Sequence, residues 1–244
     1  MKELIHRLGF PRLIILIFLI CLLALAVYLK ISLSDLVTDM LVRFGMNAIL
    51  VLAMVPGIQA GIGINFNLPL GIICGLIGAL ISIEFKLTGF LGLFVSILIA
   101  VPLASIGGYL YGKMLNTIRG QEMTVGNYIG YSIVSFMCIF WLLAPFKSPE
   151  LIWAYGGNGL RVTVSLESSM AHVLNNFLAF NIGRVTIPTG LLLFFALLAF
   201  IVWIYSQTNK GLSIKVAGSN EKFAISNGID VDKQRIKGTI MSTV

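Results

Sequence analysis

From residue 12 to residue 29 the chain reads RLIILIFLICLLALAVYL, with no charge after the first position. A helix needs about 20 mostly apolar residues to cross the hydrocarbon of a bilayer. A helix this apolar has no polar face to turn toward water in a soluble fold. Comparable runs recur: membrane segments are read at 11–29, 41–58, 68–83, 90–110, 125–144 and 188–205. One such helix can hide in a soluble core; a whole series cannot. Only 11% of the residues are charged, against about 25% in an ordinary globular domain, so there is too little polar surface to solvate them. The sequence therefore predicts an all-α polytopic transmembrane bundle with about six complete spans, forming a single domain over 1–244. A secretory leader is the competing reading of the first run, because Lys2, Arg7 and Arg12 precede it. The run is too long for a leader's apolar region, and no A-x-A-like cleavage site follows.

Orientation follows from the basic residues, which cytoplasmic loops of membrane proteins carry in excess. With the N-terminus inside, Lys2, Arg7, Arg12, Lys113, Arg119, Lys210, Lys215, Lys222, Lys233, Arg235 and Lys237 are cytoplasmic. Lys30, Arg43, Lys86, Lys147, Arg161 and Arg184 are then outside, so eleven of the 17 lie within. The net charge of +7 is explained by this topology and not by nucleic acid, since no single soluble face gathers the charge. Residues 238–244, GTIMSTV, open a seventh apolar segment too short to cross. The chain is accordingly expected to be truncated, the N-terminal part of a longer protein.

Polar features within the apolar frame are few. Residues 55–71, VPGIQAGIGINFNLPLG, hold two prolines and four closely spaced glycines. Proline removes a backbone donor and glycine loosens a helix, so a broken or re-entrant segment is expected. Irregular backbone at membrane depth is tolerated where it is buried in protein or lines a wet cavity. Gln59, Asn65 and Asn67 are therefore candidates for the wall of a solute path, or else caps in a plain turn. Asn47, inside the second span, is either part of that path or an interhelical hydrogen-bonding residue. Small-xxx-small spacings at Gly57/Gly61, Gly71/Gly75, Gly108/Gly112 and Gly126/Gly130 permit close helix packing. Pro102 is expected to kink the fourth span.

In the outer loop, 145–187, the positions Leu166, Met170, Val173, Leu174, Phe177 and Leu178 have helical spacing. They predict an amphipathic helix that docks a partner or covers the mouth of the bundle. Cys21, Cys74, Cys138, His6 and His172 are scattered, so no metal site is read. No G-x-x-x-x-G-K-[ST], G-x-S-x-G or H-E-x-x-H occurs. Catalysis has no visible residues here, and no cofactor is expected on this chain.

The longest polar stretch, KVAGSNEKFAISNGIDVDKQ, lies within the loop 207–237. Asn220 is a good N-cap, Phe223, Ala224 and Ile225 are apolar, and Gly228 is placed to stop the helix in a left-handed conformation. A helix of about two turns over 220–227 follows, with Asp230 or Asp232 capping the next. Two turns are marginal alone, so the helix inserts into a groove on a cytoplasmic partner or packs as a turn on its own bundle. The pattern G-x-N-x-x-x-A-x-x-x-G-I, at Gly218, Asn220, Ala224, Gly228 and Ile229, resembles the cytoplasmic loop of binding-protein-dependent ABC permeases. It is most similar to the branch that includes ribose-type sugar, nucleoside and branched-chain amino acid permeases. The preceding VTIPTGLLLFFALLAFIVWIYSQT resembles the same branch in its Ile-Pro entry to the span. The family usually has two alanines where this chain has Phe223 and Ala224, and often an acidic residue where this chain has the uncharged 59–67.

The resemblance implies an importer permease of the bacterial plasma membrane that moves a small polar solute, a sugar or nucleoside, by alternating access. It implies that Gly218, Asn220, Phe223, Ala224, Gly228 and Ile229 couple to a cytoplasmic ATP-binding subunit, which holds the ATP and Mg. A second permease subunit, the same or different, and an extracytoplasmic solute-binding protein complete the implied assembly. A branched-chain amino acid permease, an ion-coupled secondary transporter and a membrane scaffold are the alternatives.

Overall fold

The structure, a computed structural model, describes residues 10–63, 68–146, 148, 151, 170, 173–183 and 185–244. The apolar runs become helices: α1 (Phe10–Tyr28), α2 (Leu33–Gln59), α3 (Leu68–Glu84), α4 (Gly89–Thr117) and α5 (Glu122–Leu143). A single-turn helix, α6 (Val173–Asn176), leads into a hairpin of β1 (Phe180–Ile182) and β2 (Val185–Ile187). The hairpin is antiparallel, with Asn181 opposite Thr186. It is followed by α7 (Thr189–Gln207), α8 (Asn209–Ser219), α9 (Glu221–Ser226) and α10 (Val231–Thr243). Among the described residues the fold is thus helical apart from one short hairpin. Helices α2, α4, α5 and α7 are long and apolar enough to cross a membrane, and α1 and α3 are shorter apolar helices. That is the build of a membrane-embedded protein.

Several boundaries differ from the sequence reading. α2 begins well before residue 41, because Asp35 and Asp39 precede the apolar run without interrupting the helix. The break expected over 55–71 is narrower: α2 continues through Pro56 to Gln59, and α3 already starts at Leu68. Pro56 withdraws one backbone donor, which a long helix tolerates, and Pro69 stands in the first turn, where its missing N–H would have no partner in any case. The turn itself is made at Gly61 (φ 73°) and Gly63 (φ 86°), in the left-handed region open to glycine. In the outer loop the expected amphipathic helix is only α6 among the described residues. Leu178, at φ 54°, turns the chain out of the helix toward β1.

The helix ends fall into two sets. The C-terminal ends of α2 and α4 and the N-terminal ends of α3 and α5 gather around α8 and α10. Gly61 meets Gly218, Gly71 meets Thr243, Asn116 reaches Asp232, and Glu122 reaches Arg235. At the opposite end, Glu84 accepts a hydrogen bond from Ser148 N (3.2 Å), and Thr186 N donates to Thr38 Oγ1 (3.1 Å).

Packing depends on small residues. α10 lies along α4 where Gly108 faces Ile240 and Thr243 and Gly112 faces Ile236 and Thr239. A Cβ on Gly108 would come within 2.9 Å of Thr243 Oγ1, so this small-xxx-small pair does seat a helix. A second core joins Ile73, Leu80 and Ile83 of α3 to Met137 of α5, with Leu151 and Met170 of the outer loop folded onto it. Elsewhere the large apolar side chains face outward, and almost all of α1 from Ile14 to Tyr28 is exposed. In a membrane such a surface is covered by acyl chains.

Candidate coupling corner

α8, α9 and α10 form a folded corner at one end of the bundle. Thr208 opens it by capping α8: its Oγ1 accepts from Gly211 N (3.2 Å) and donates to Tyr205 O (2.7 Å). Gly211, Ile214 and Ala217 then turn inward. Gly218 is pressed against the end of α2, where a Cβ would lie 2.5 Å from Gly61 N and nearer still to Gln59 O. No larger residue fits there without moving a backbone.

Asn220 serves two helices. Its N–H closes α8 on Val216 O (3.1 Å), and its Oδ1 accepts from Phe223 N (3.0 Å) to open α9. This is an N-cap with extended backbone, φ −151°. α9 closes with Gly228 at φ 74°. Ile229 N bonds to Ala224 O (2.9 Å) and Gly228 N to Ile225 O (3.0 Å), the paired bonds of a Schellman motif. A helix of 6 residues, too short to persist alone, is thus fixed at both ends.

α9 has a sharp inner and outer side. Ala224 is 0% exposed, enclosed with Ala217, Val231, Val216 and Ile229. Phe223 is 56% and Ile225 60% exposed. Of the six residues read as the coupling set, Ala224 holds α9 to its own fold, and so does not itself present a surface. Gly218, Asn220, Gly228 and Ile229 shape and anchor the helix, and Phe223 projects outward. Ile225, given only as an apolar contact in the sequence reading, is its outward companion.

Two charge clusters tie this corner to the long helices. Arg119, just beyond α4, donates Nη1 to Glu221 of α9 and Nη2 to Asp232 of α10. The Asp232 hydrogen bond in particular holds the Arg119 guanidinium above its ordinary pKa. Asn116 Nδ2 adds a bond to Asp232 O (3.0 Å). Deeper in, Arg235 Nη2 meets Glu122 Oε1 at 2.6 Å, with both side chains largely buried. Glu122 Oε2 accepts from Gly120 N (2.7 Å) as well. Asp230, not Asp232, caps α10, accepting from Lys233 N (3.1 Å) and pairing with Lys233 Nζ (2.9 Å). Those Lys233 hydrogen bonds hold the Asp230 carboxyl below its ordinary pKa.

α9 is thus linked to α2 through α8 and Gly218, to α4 through Arg119, and to α5 through α10 and the Arg235–Glu122 pair. Of these charged residues, the sequence reading used Arg119 and Arg235 only as topology markers and Asp232 only as a possible cap. Their partners lie 102 and 113 positions away, a separation no local pattern reveals. The sole hint was that opposite charges stand at span ends.

Of the four solute-path candidates, the two that lie among the described residues are far apart on α2. Gln59 ends α2 beside Gly218, while Asn47 lies on the exposed side near the middle of that helix. Twelve residues of helix separate the two, about 18 Å at 1.5 Å per residue. Asn65 and Asn67 lie outside the described residues. Among the described residues no three His, Cys, Asp or Glu side chains gather as metal ligands. The fold and corner define a membrane-embedded helical bundle with a capped, two-sided corner at one end. No family model, curated protein or solved structure matches the chain.

Proposed function

We propose that this chain is a membrane-spanning permease subunit of a binding-protein-dependent ABC importer, with α9 as the helix received by a cytoplasmic ATP-binding subunit. The observation that carries the reading is the two-sided α9: Ala224 locked inward, Phe223 and Ile225 held outward, both ends capped. Recognition of a helix by a groove needs such outward apolar anchors on a preordered element. The helices α1 to α5 and α7 make six spans, with the N-terminus and the α8–α10 corner in the cytoplasm of a bacterial cell. Closure of the partner on ATP pulls α9 and moves α2, α4 and α5 together, opening the path inward. The cargo is a small polar solute, a sugar or nucleoside, delivered by an extracytoplasmic binding protein to a pair of permease subunits.

The test is purification of the tagged chain from its native membranes in mild detergent. A P-loop ATPase should co-purify in fixed ratio, and its ATP hydrolysis should depend on Phe223 and Ile225. Uptake that continues without ATP and follows an ion gradient would replace this reading with a secondary transporter.

A further inference from the structure

Along α2 the residues Asp35, Asp39, Arg43 and Asn47 recur at four-residue steps, and all four are exposed. Such a step advances a helix by about 400°, so they form one slowly winding stripe. None has an ion-pair or hydrogen-bond partner among the described residues. Arg43 and Asn47 stand within the apolar run, and Asn47 adjoins the midpoint of α2. The side of α2 that packs on α7 is marked by Gly45, against Leu191. Asn47, two residues on, lies about 200° away. The stripe therefore points away from the bundle.

A bare arginine and amide at that depth are unfavourable against lipid: insertion scales assign a central Arg about 2.5–3.5 kcal/mol. α1, the nearest helix in sequence, cannot satisfy them, since between Arg12 and Tyr28 its only polar side chain is Cys21. The stripe is, however, complementary to itself. An amide both donates and accepts, so two Asn47 side chains facing across a two-fold axis along the membrane normal satisfy each other. The same axis brings each Arg43 within one turn of the second copy's Asp39, a rise of about 6 Å that an arginine side chain spans. We infer that this face of α2 pairs with the same face of a second copy of the chain, through reciprocal Asn47 amides flanked by two Arg43–Asp39 ion pairs. The inference does not rest on the transport reading.

Oxidative cross-linking in membranes tests it. In a chain with Cys21, Cys74 and Cys138 replaced by Ser, Asn47→Cys should give a disulfide-linked dimer. Phe200→Cys, on the outward side of α7, should give none. Arg43→Asp alone should weaken the cross-link at least tenfold, and Asp39→Arg with Arg43→Asp should restore it. Independently of any substitution, native nanodiscs holding the unaltered chain should contain two copies of it per disc. A single copy per disc, or equal cross-linking at residues 47 and 200, overturns the proposal. If Asn47→Cys instead reacts rapidly with a membrane-impermeant maleimide and forms no dimer, the proposal also falls, and the stripe lines a watery path.

Discussion

Replacing Phe223 and Ile225 together by alanine should release the ATP-binding partner while leaving the permease folded. Fully burying such a side chain is worth about 1.5–3 kcal/mol. With 56% and 60% of each still exposed, about 1–1.5 kcal/mol per side chain remains to be gained on docking. Together they supply about 2–3 kcal/mol, so the double variant should bind roughly 30- to 150-fold more weakly, at 1.4 kcal/mol per tenfold. Stability should change little, because exposed substitutions typically fall within about 0.5 kcal/mol. Ala224→Glu should do the reverse. It forces a carboxylate into the pocket of Ala217 and Val231, an unpaired buried charge worth on the order of 3–5 kcal/mol, and should lower the melting temperature by roughly 10 °C. The assay is paired: affinity for the purified ATPase by surface-immobilised titration, and melting in the same detergent. If the double variant binds normally while Ala224→Glu releases the partner at an unchanged melting temperature, the inward and outward sides of α9 have been assigned the wrong way round.

Glu122→Ala should destabilise the bundle by about 3–5 kcal/mol by stranding buried Arg235, and adding Arg235→Leu should recover most of that loss, as read by denaturant unfolding. Gly218→Ala should cost about 1–3 kcal/mol through overpacking against Gln59 and Gly61. Hydrogen exchange should place the loosening in α8 and at the end of α2. Because the folded pKa of Asp230 lies below its ordinary value of 3.8, the cap on α10 is fully present above that value and is lost as the pH falls through the lower folded value. Circular dichroism of the wild type should therefore show an acid loss of helix that Asp230→Asn removes.

Spans were legible because a bilayer imposes a coarse demand, length and apolarity, that composition alone reveals. α9 was legible because its caps are local: Asn220 and Gly228 act within a few residues of themselves. α8 was not, since Gly211 and Gly218 lower the propensity of 209–219, and the helix forms because Gly211, Ile214 and Ala217 pack inward. The direction of Ala224 was also hidden, because 6 residues are too few for a face to emerge from periodicity. The start of α2 was misplaced for a related reason. Asp35 and Asp39 look like loop residues until their shared spacing on one helix is seen. The Arg119 and Arg235 pairings depend wholly on how distant helices are juxtaposed.

Because a single asparagine ends α8 and begins α9, the corner has no slack in chain length. One residue inserted after Asn220 would turn α9 by about 100°, carrying Phe223 and Ile225 off their outward bearing and breaking the seal around Ala224. Substitutions can tune this part of the molecule, but insertions and deletions disable it. It behaves as a keyed fitting whose angle is set by counting residues.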